Sequence, residues 1–237
     1  ASLVIAGDFD PAQARSLVEK YFGPISRSPR PPAPAVVTQP ITRQVRETLT
    51  DDVQLSRIFV GVIAPSAWTD QGYAYDVMQE ILAGGKSSRL YQALIFDRQL
   101  AQEVDMATDK ATFGSESEIR VTVKPGHLPA EAEAVLDAEL DKLGRTPPSD
   151  AELRRAQRNL EARLYRGLER LNGNGGRADI LNAMQMWKGD PWFVNQLVAR
   201  YRAVTAAQVQ ESARRFLDPN ARVVLIVNPA ARTASAR

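Results

Sequence analysis

The chain of 237 residues is 44% hydrophobic and 24% charged, which excludes disorder as its dominant state and leaves room for one large domain or two small ones. It has no cysteine and a single histidine, His127, so thiol catalysis, iron–sulfur clusters, Cys-ligated zinc and a two-histidine zinc site are all excluded. Lys+Arg 30 against Asp+Glu 28 is nearly balanced, no run of like charge marks a nucleic-acid footprint, and no apolar run approaches the roughly 18 residues of a membrane span.

Leu3-Val4-Ile5-Ala6 reads as a buried strand closed by Gly7-Asp8. The sequence opens in this segment without Met or a signal-type apolar region, as expected of a piece of something longer. Asp10 then caps a helix with Pro11 at its first position and Gln13 completing a capping box. Leu17, Val18, Tyr21 and Phe22 make its apolar face, and Gly23-Pro24 stops it. Residues 26–42 are dense in proline (Pro29, Pro31, Pro32, Pro34, Pro40), the composition of an extended semi-rigid linker, with an ordered surface loop as the alternative.

Beyond it, Gln44 to Thr50 and Leu55 to Ile63 read as an antiparallel strand pair. A helix over Asp70 to Leu82 carries Tyr73, Val77 and Ile81 on one face and closes at Gly84-Gly85. A second helix begins at Ser87 or Ser88 with Leu90, Tyr91 and Leu94. Leu100 to Ala107 and Glu116 to Val123 are two more strands, the latter alternating Ile119, Val121 and Val123 against Glu118, Arg120 and Thr122. Helices follow over Ala130 to Leu143 and from Ser149, whose capping box with Glu152 opens a stripe of Leu153, Ala156, Leu160, Leu164, Leu168 and Leu171. Asn172 to Gly176 ends that helix in a turn or hinge, which is not a phosphate loop because it follows a helix and lacks Lys-Ser/Thr. Further helices cover Arg177 to Trp187, Pro191 to Tyr201 and Ala206 to Leu217, the last capped by Thr205 with Gln208, and Arg222 to Val227 closes as a buried strand. Segregated strands and helices predict an α+β fold: a two-layer domain with a mostly antiparallel sheet packed against helices. Leu3 to Gly7 and Val224 to Asn228 are similar apolar runs, either the closing strands of two similar units or two unrelated strands.

Three stretches resemble one family. Leu3 to Gly23 (LVIAGDFDPAQARSLVEKYFG) resembles the segment closing the catalytic domain of insulinase/pitrilysin zinc metallopeptidases. Ile81 to Tyr91 (ILAGGKSSRLY) is similar to an element of the mitochondrial-processing-peptidase-like branch, and Pro148 to Ala156 followed by Tyr201 to Ala213 completes the order over essentially the whole chain. The resemblance implies two homologous α+β domains of LuxS/MPP-like clamshell-half architecture, joined by a linker and closing around an extended peptide. It also implies an H-x-x-E-H helix that holds zinc in the first domain. That motif does not occur here. The resemblance therefore implies residues 1–25 as the tail of a catalytic domain, 26–42 as linker, 43–230 as a complete non-catalytic domain and 231–237 as a disordered tail. It implies no catalytic or metal residue in this chain, zinc in a catalytic partner domain, an extended peptide substrate, no nucleic acid and no transmembrane segment. The alternative is a proteolytically inactive assembly subunit. Many bacterial relatives are periplasmic, which favours that compartment.

In the family an Arg/Tyr pair of the second domain reaches the substrate and stabilises the oxyanion; the matching positions are Ile95 and Gln102, neither of which can supply a cationic fork or a phenol. Substrate-facing candidates are Gly84, Gly85, Ser88, Arg89 and Gln102. Arg89 and Tyr91 also admit a structural reading, a carboxylate pair and a packed ring, and Gly84-Gly85 a plain helix cap. His127, after Pro125-Gly126, is expected to be an exposed loop residue, and Trp187, Trp192 and Phe193 are expected to anchor a corner between two helices.

Overall fold

A computed structural model describes residues 2–29, 32, 40–111, 113–171 and 173–230; most of the proline-rich segment and residues 231–237 lie outside the described residues. The chain divides into two units, Ala1–Val37 with Leu164–Val194, and Thr38–Arg163 with Asn195–Arg237.

The larger unit is built on a five-stranded mixed sheet of strands β1 (Val45–Asp51), β2 (Arg57–Ala64), β3 (Ala101–Asp109), β4 (Ser115–Val123) and β5 (Val223–Pro229), in the order β1-β5-β2-β4-β3. The expected antiparallel pairing of the first two strands is corrected: β5 lies between them, parallel to β1 and antiparallel to β2. The physical reason is burial. Val224 and Ile226 are buried whereas every residue of β1 is exposed, so the apolar closing strand takes the interior position and the polar strand the edge.

In the predicted helix positions stand α2 (Asp70–Ala83), α3 (Arg89–Tyr91), α4 (Pro129–Arg145), α5 (Asp150–Glu169), α7 (Val194–Ala203) and α8 (Ala206–Phe216). Helices α2, α4 and α8 pack on one face of the sheet. Alternation decides that face: Ile58, Val60 and Val62 of β2, Ile119, Val121 and Val123 of β4, and Val224 and Ile226 of β5 are buried against Val77, Met78, Ile81, Leu136, Leu140 and Val209. Each inward helix position is the apolar one of its 3.6-residue repeat. Thr205 and Gln208 close the expected reciprocal box at 3.3 and 2.8 Å, and Thr69, a cap not named from the sequence, accepts from Gly72 N–H at 3.0 Å. Guanidinium forks bind α4 to the sheet: Arg46 of β1 holds Glu133 at 2.5 and 2.6 Å, and buried Arg222 holds Asp137 at 2.6 and 2.8 Å.

The smaller unit holds α1 (Pro11–Phe22), the end of α5, α6 (Arg177–Lys188) and a 3-10 turn (Pro191–Phe193). Asp10 caps α1 as expected, its carboxylate accepting from Ala12 and Gln13 N–H. One expectation fails here. Leu3-Val4-Ile5-Ala6 is neither a strand nor buried, because a buried strand needs ladder partners and none of the described strands pairs with it. Only one of the two similar ends therefore forms a strand. Nor does the apolar face of α1 enter a core: Leu17, Tyr21 and Phe22 are exposed. At the corner after α6, Gly189 takes φ +70°, Asp190 caps Trp192 N–H at 2.9 Å and Lys188 lies over the Phe193 ring; Trp187 and Phe193 are half-buried there, whereas Trp192 is 69% exposed.

Candidate functional site

The segment from Gly84 to Gln102 carries nearly every residue singled out in the sequence. Helix α2 ends where Gly84 N–H donates to the Glu80 carbonyl at 2.9 Å, and Gly85 follows at φ +86°, the left-handed region glycine adopts without a Cβ penalty. Glu80, 7% exposed, folds its carboxylate over Gly84, so that a Cβ there would collide with it, and Arg163 and Asn159 of α5 hold that carboxylate at 2.5 and 3.0 Å. Gly84 is a close-approach position.

Ser88 is buried, with an Oγ that has no hydrogen-bond partner among the described residues. Arg89 turns its fork onto Glu152 of α5, Nε to Oε1 at 2.7 Å and Nη2 to Oε2 at 3.2 Å. The same Oε2 accepts from Ser149 N–H and Oγ, both at 2.9 Å. These donors, the Arg89 fork first, outweigh desolvation and hold the Glu152 carboxyl at about 2, well below the usual carboxylate range. The loop is further pinned by Arg155 Nη2 on the Ser87 carbonyl at 2.9 Å and by Gln92 Nε2 on the Lys86 carbonyl at 2.6 Å. Tyr91 is half-buried.

After one α-turn the helix widens into a π-helix over Gln92–Asp97, a form common at functional positions. It contains Ile95, half-buried, and Phe96, 68% exposed. Gln99 at φ +53° turns the chain into β3, and Gln102 sits exposed at a bulge between Ala101 and Glu103 on that edge strand. The structure thus gathers Gly84, Gly85, Ser88 and Arg89 on one pinned loop against α5 and places Gln102 apart, on the sheet edge. His127 stands in the turn before α4, its Nδ1 3.7 Å from Glu131.

The structural reading of Arg89 as half of a carboxylate pair holds, but sequence reasoning did not identify the partner, Glu152, which it had marked only as a cap. It also missed a second network: Asp76 Oδ2 accepts from Tyr201 Oη at 2.8 Å and Lys110 Nζ at 2.6 Å, and Tyr201 packs edge-on against Tyr73. Burial raises the Tyr201 phenol well above its ordinary pKa. No local pattern joins residues so far apart in the chain. Among the described residues no group of three or more His, Asp or Glu could hold a metal ion, so the described side chains do not fit zinc.

What these features define is a two-layer α+β domain, a mixed sheet backed by helices, in which Arg89 pairs with Glu152 and Lys110 with Asp76. The sequence profile of the family described as Peptidase M16 inactive domain matches residues 1–160, and the chain belongs to that family. It is similar to an uncharacterized zinc protease of Mycobacterium bovis, 27% identical over 214 residues, covering 90% of this chain and 48% of that protein. An uncharacterized zinc protease of Mycobacterium leprae is 26% identical over 218 residues, covering 91% and 48%. The chain thus spans about half the length of the curated relatives it matches. Among solved structures, a protease from Helicobacter pylori superposes with a TM-score of 0.81 at 18% identity, covering 94% of this chain and 54% of that one. A peptidase M16 inactive domain from Pseudomonas fluorescens follows at 0.75 and 16%, covering 95% and 52%. These likenesses carry the fold.

Proposed function

We propose that this chain is the non-catalytic half of a zinc-dependent endopeptidase, enclosing an extended peptide against a catalytic domain that carries the H-x-x-E-H helix and its zinc. The observation that carries the reading is membership of the inactive-domain family by a sequence with one histidine and no H-x-x-E-H. Capture between two halves orders the peptide as a strand and removes the entropy of finding the scissile bond, while water activation stays with the metal on the other half. In this reading Gln102, on the exposed edge strand, and the Gly84, Gly85, Ser88 and Arg89 loop face the substrate side. The resemblance of Gly84 to Tyr91 supports assignment to the mitochondrial-processing-peptidase-like branch.

The domain plan belongs to the same proposal: residues 1–25 end a preceding domain, 26–42 link, 43–230 form the non-catalytic domain and 231–237 are a tail. What supports its first part is the exposed groove of about 350 Å³ among Leu3, Ile5, Phe9, Leu17, Tyr21 and Phe22, apolar surface that gains roughly 25 cal/mol per Å² when covered. A second reading, an assembly subunit without a role in proteolysis, is favoured by Ile95 and Gln102 in place of the oxyanion pair.

The test mixes this chain with a separately expressed H-x-x-E-H half and follows cleavage of a quenched fluorescent peptide. Cleavage that needs both halves and is abolished by a chelator is expected. No gain on mixing favours the assembly subunit, and chelator-sensitive cleavage by this chain alone, surviving His127→Ala, overturns the proposal.

A further inference from the structure

Where α4 and α8 end, on the helix side of the sheet, lies a hollow of about 650 Å³, a volume within the range of small-ligand sites. Its floor is apolar and buried: Leu140 of α4, Ala213 of α8 and Leu217 at the cap of α8. Gly144, in the last turn of α4, keeps it wide. A Cβ built there would meet only the Arg214 backbone, at 3.8 and 3.9 Å, so neither packing nor a positive φ demands a glycine at this helical position.

The charges of the hollow are balanced in number but not in pairing. Three acids, Asp137, Asp141 and Asp218, and three guanidinium groups, Arg145, Arg214 and Arg222, line it. Asp141 takes Arg145 at 2.9 Å, and Arg214 lies 3.6 Å from Glu211, both of them exposed pairs within one helix. Two groups are left over. Arg222, 3% exposed, gives Nη1 and Nη2 to Asp137 at 2.6 and 2.8 Å, while its buried Nε–H has no partner among the described residues, which costs the folded chain free energy. The Asp218 carboxylate accepts from Asn220, N–H at 2.8 Å and Nδ2 at 3.1 Å, and among the described residues no cation pairs with it. A turn closed by Ala221 N–H on the Asp218 carbonyl at 3.0 Å brings Asp218 and Arg222 to the same hollow.

A cationic donor without an acceptor and a carboxylate without a cation, beside an apolar floor, are complementary to a zwitterion with apolar side chains. We infer that this hollow binds short apolar peptides with both termini free, the carboxylate accepting from Arg222 Nε–H, the ammonium donating to Asp218 and the side chains covering Leu140, Ala213 and Leu217. An extended chain spans at most about 3.5 Å per residue, so two or three residues match a hollow of this size. Peptide-bond hydrolysis releases molecules of this class, so the site takes product where the proposed enclosure takes substrate. None of the substrate-side residues named above lines the hollow, and the inference goes beyond the enclosure reading without resting on it.

The test titrates the full, isotope-labelled chain with dileucine, acetyl-dileucine, dileucine amide and diserine, and follows the amide resonances. Dileucine at up to about 10 mM should shift Gly144, Ala213 and Leu217. It should bind at least about tenfold more tightly than either blocked form, the scale of one charged hydrogen bond, with diserine weakest. Asp218→Asn should abolish the difference between dileucine and its acetyl form. Arg222→Lys, which keeps the charge and lacks the Nε edge, should abolish the difference between dileucine and its amide. Gly144→Leu should weaken all three leucine peptides by filling the hollow; circular dichroism melts of each variant establish that the fold is kept, and Gly144→Leu and Asp218→Asn decide the matter if Arg222→Lys does not fold. No shift at about 10 mM, equal affinity for the three leucine peptides, or dileucine binding unchanged by Gly144→Leu overturns the inference and leaves peptide enclosure, tested by mixing the two halves, untouched.

Discussion

Replacing Glu152 by Gln removes the charge that the Arg89 fork is built around and leaves a guanidinium 12% exposed, with Nη1 already lacking a partner among the described residues, facing a neutral amide. A carboxyl held at about 2 against an ordinary 4.5 is a difference of 2.5 units, or an upper limit of about 3.4 kcal/mol at neutral pH. The Glu152 side chain is 21% exposed, so screening reduces this to about 2 kcal/mol. The sign follows from proton binding. Because the folded pKa is depressed, the stabilisation is present above the unfolded value and is lost as pH falls from about 4.5 towards about 2, with roughly two fifths remaining near pH 3. Urea unfolding of wild type, Glu152→Gln, Arg89→Met and the double variant should give a coupling energy of about 1–2 kcal/mol at pH 7 that falls by more than half at pH 3. A coupling below about 0.5 kcal/mol, or one unchanged between the two pH values, would refute the assignment of the shift to the Arg89 fork.

Gly84→Ala should destabilise by about 2–3 kcal/mol in the same assay, since the new methyl collides with the Glu80 carboxylate and displaces it from Arg163 and Asn159, whereas Gly85→Ala should cost only about 1 kcal/mol for its positive φ. Tyr201→Phe should cost about 1–1.5 kcal/mol by removing a donor from Asp76. The raised phenol predicts that wild-type stability declines above about pH 10, where the unfolded chain loses a proton the folded one keeps, and that the decline is shallower in the variant. Leu17→Glu and Phe22→Glu, both at exposed positions, should change the melting of this chain by less than about 0.5 kcal/mol yet abolish association with an H-x-x-E-H half.

Local order was legible because its causes are local. Ser149 and Thr205 each begin a helix by offering an oxygen to N–H groups within one turn, and the alternation of Ile119, Val121 and Val123 against Glu118 and Arg120 names the two faces of β4 without reference to any other strand. The helix widening at Gln92–Asp97 had no such signal. Its apolar spacing is that of an ordinary helix, and the π-helical register appears only in the completed structure, where Arg98 N–H reaches the Ala93 carbonyl at 3.2 Å.

Composition alone excluded a two-histidine zinc site of the H-x-x-E-H kind, because the number of imidazoles does not depend on how the chain folds. Which neighbours each strand takes, that Arg89 spends its charge on Glu152, and that Arg222 forks onto Asp137 were decided by tertiary structure. Those pairings join residues dozens of positions apart, and their energies are settled by competition among all partners for burial and charge, a competition that no single stretch of the chain contains.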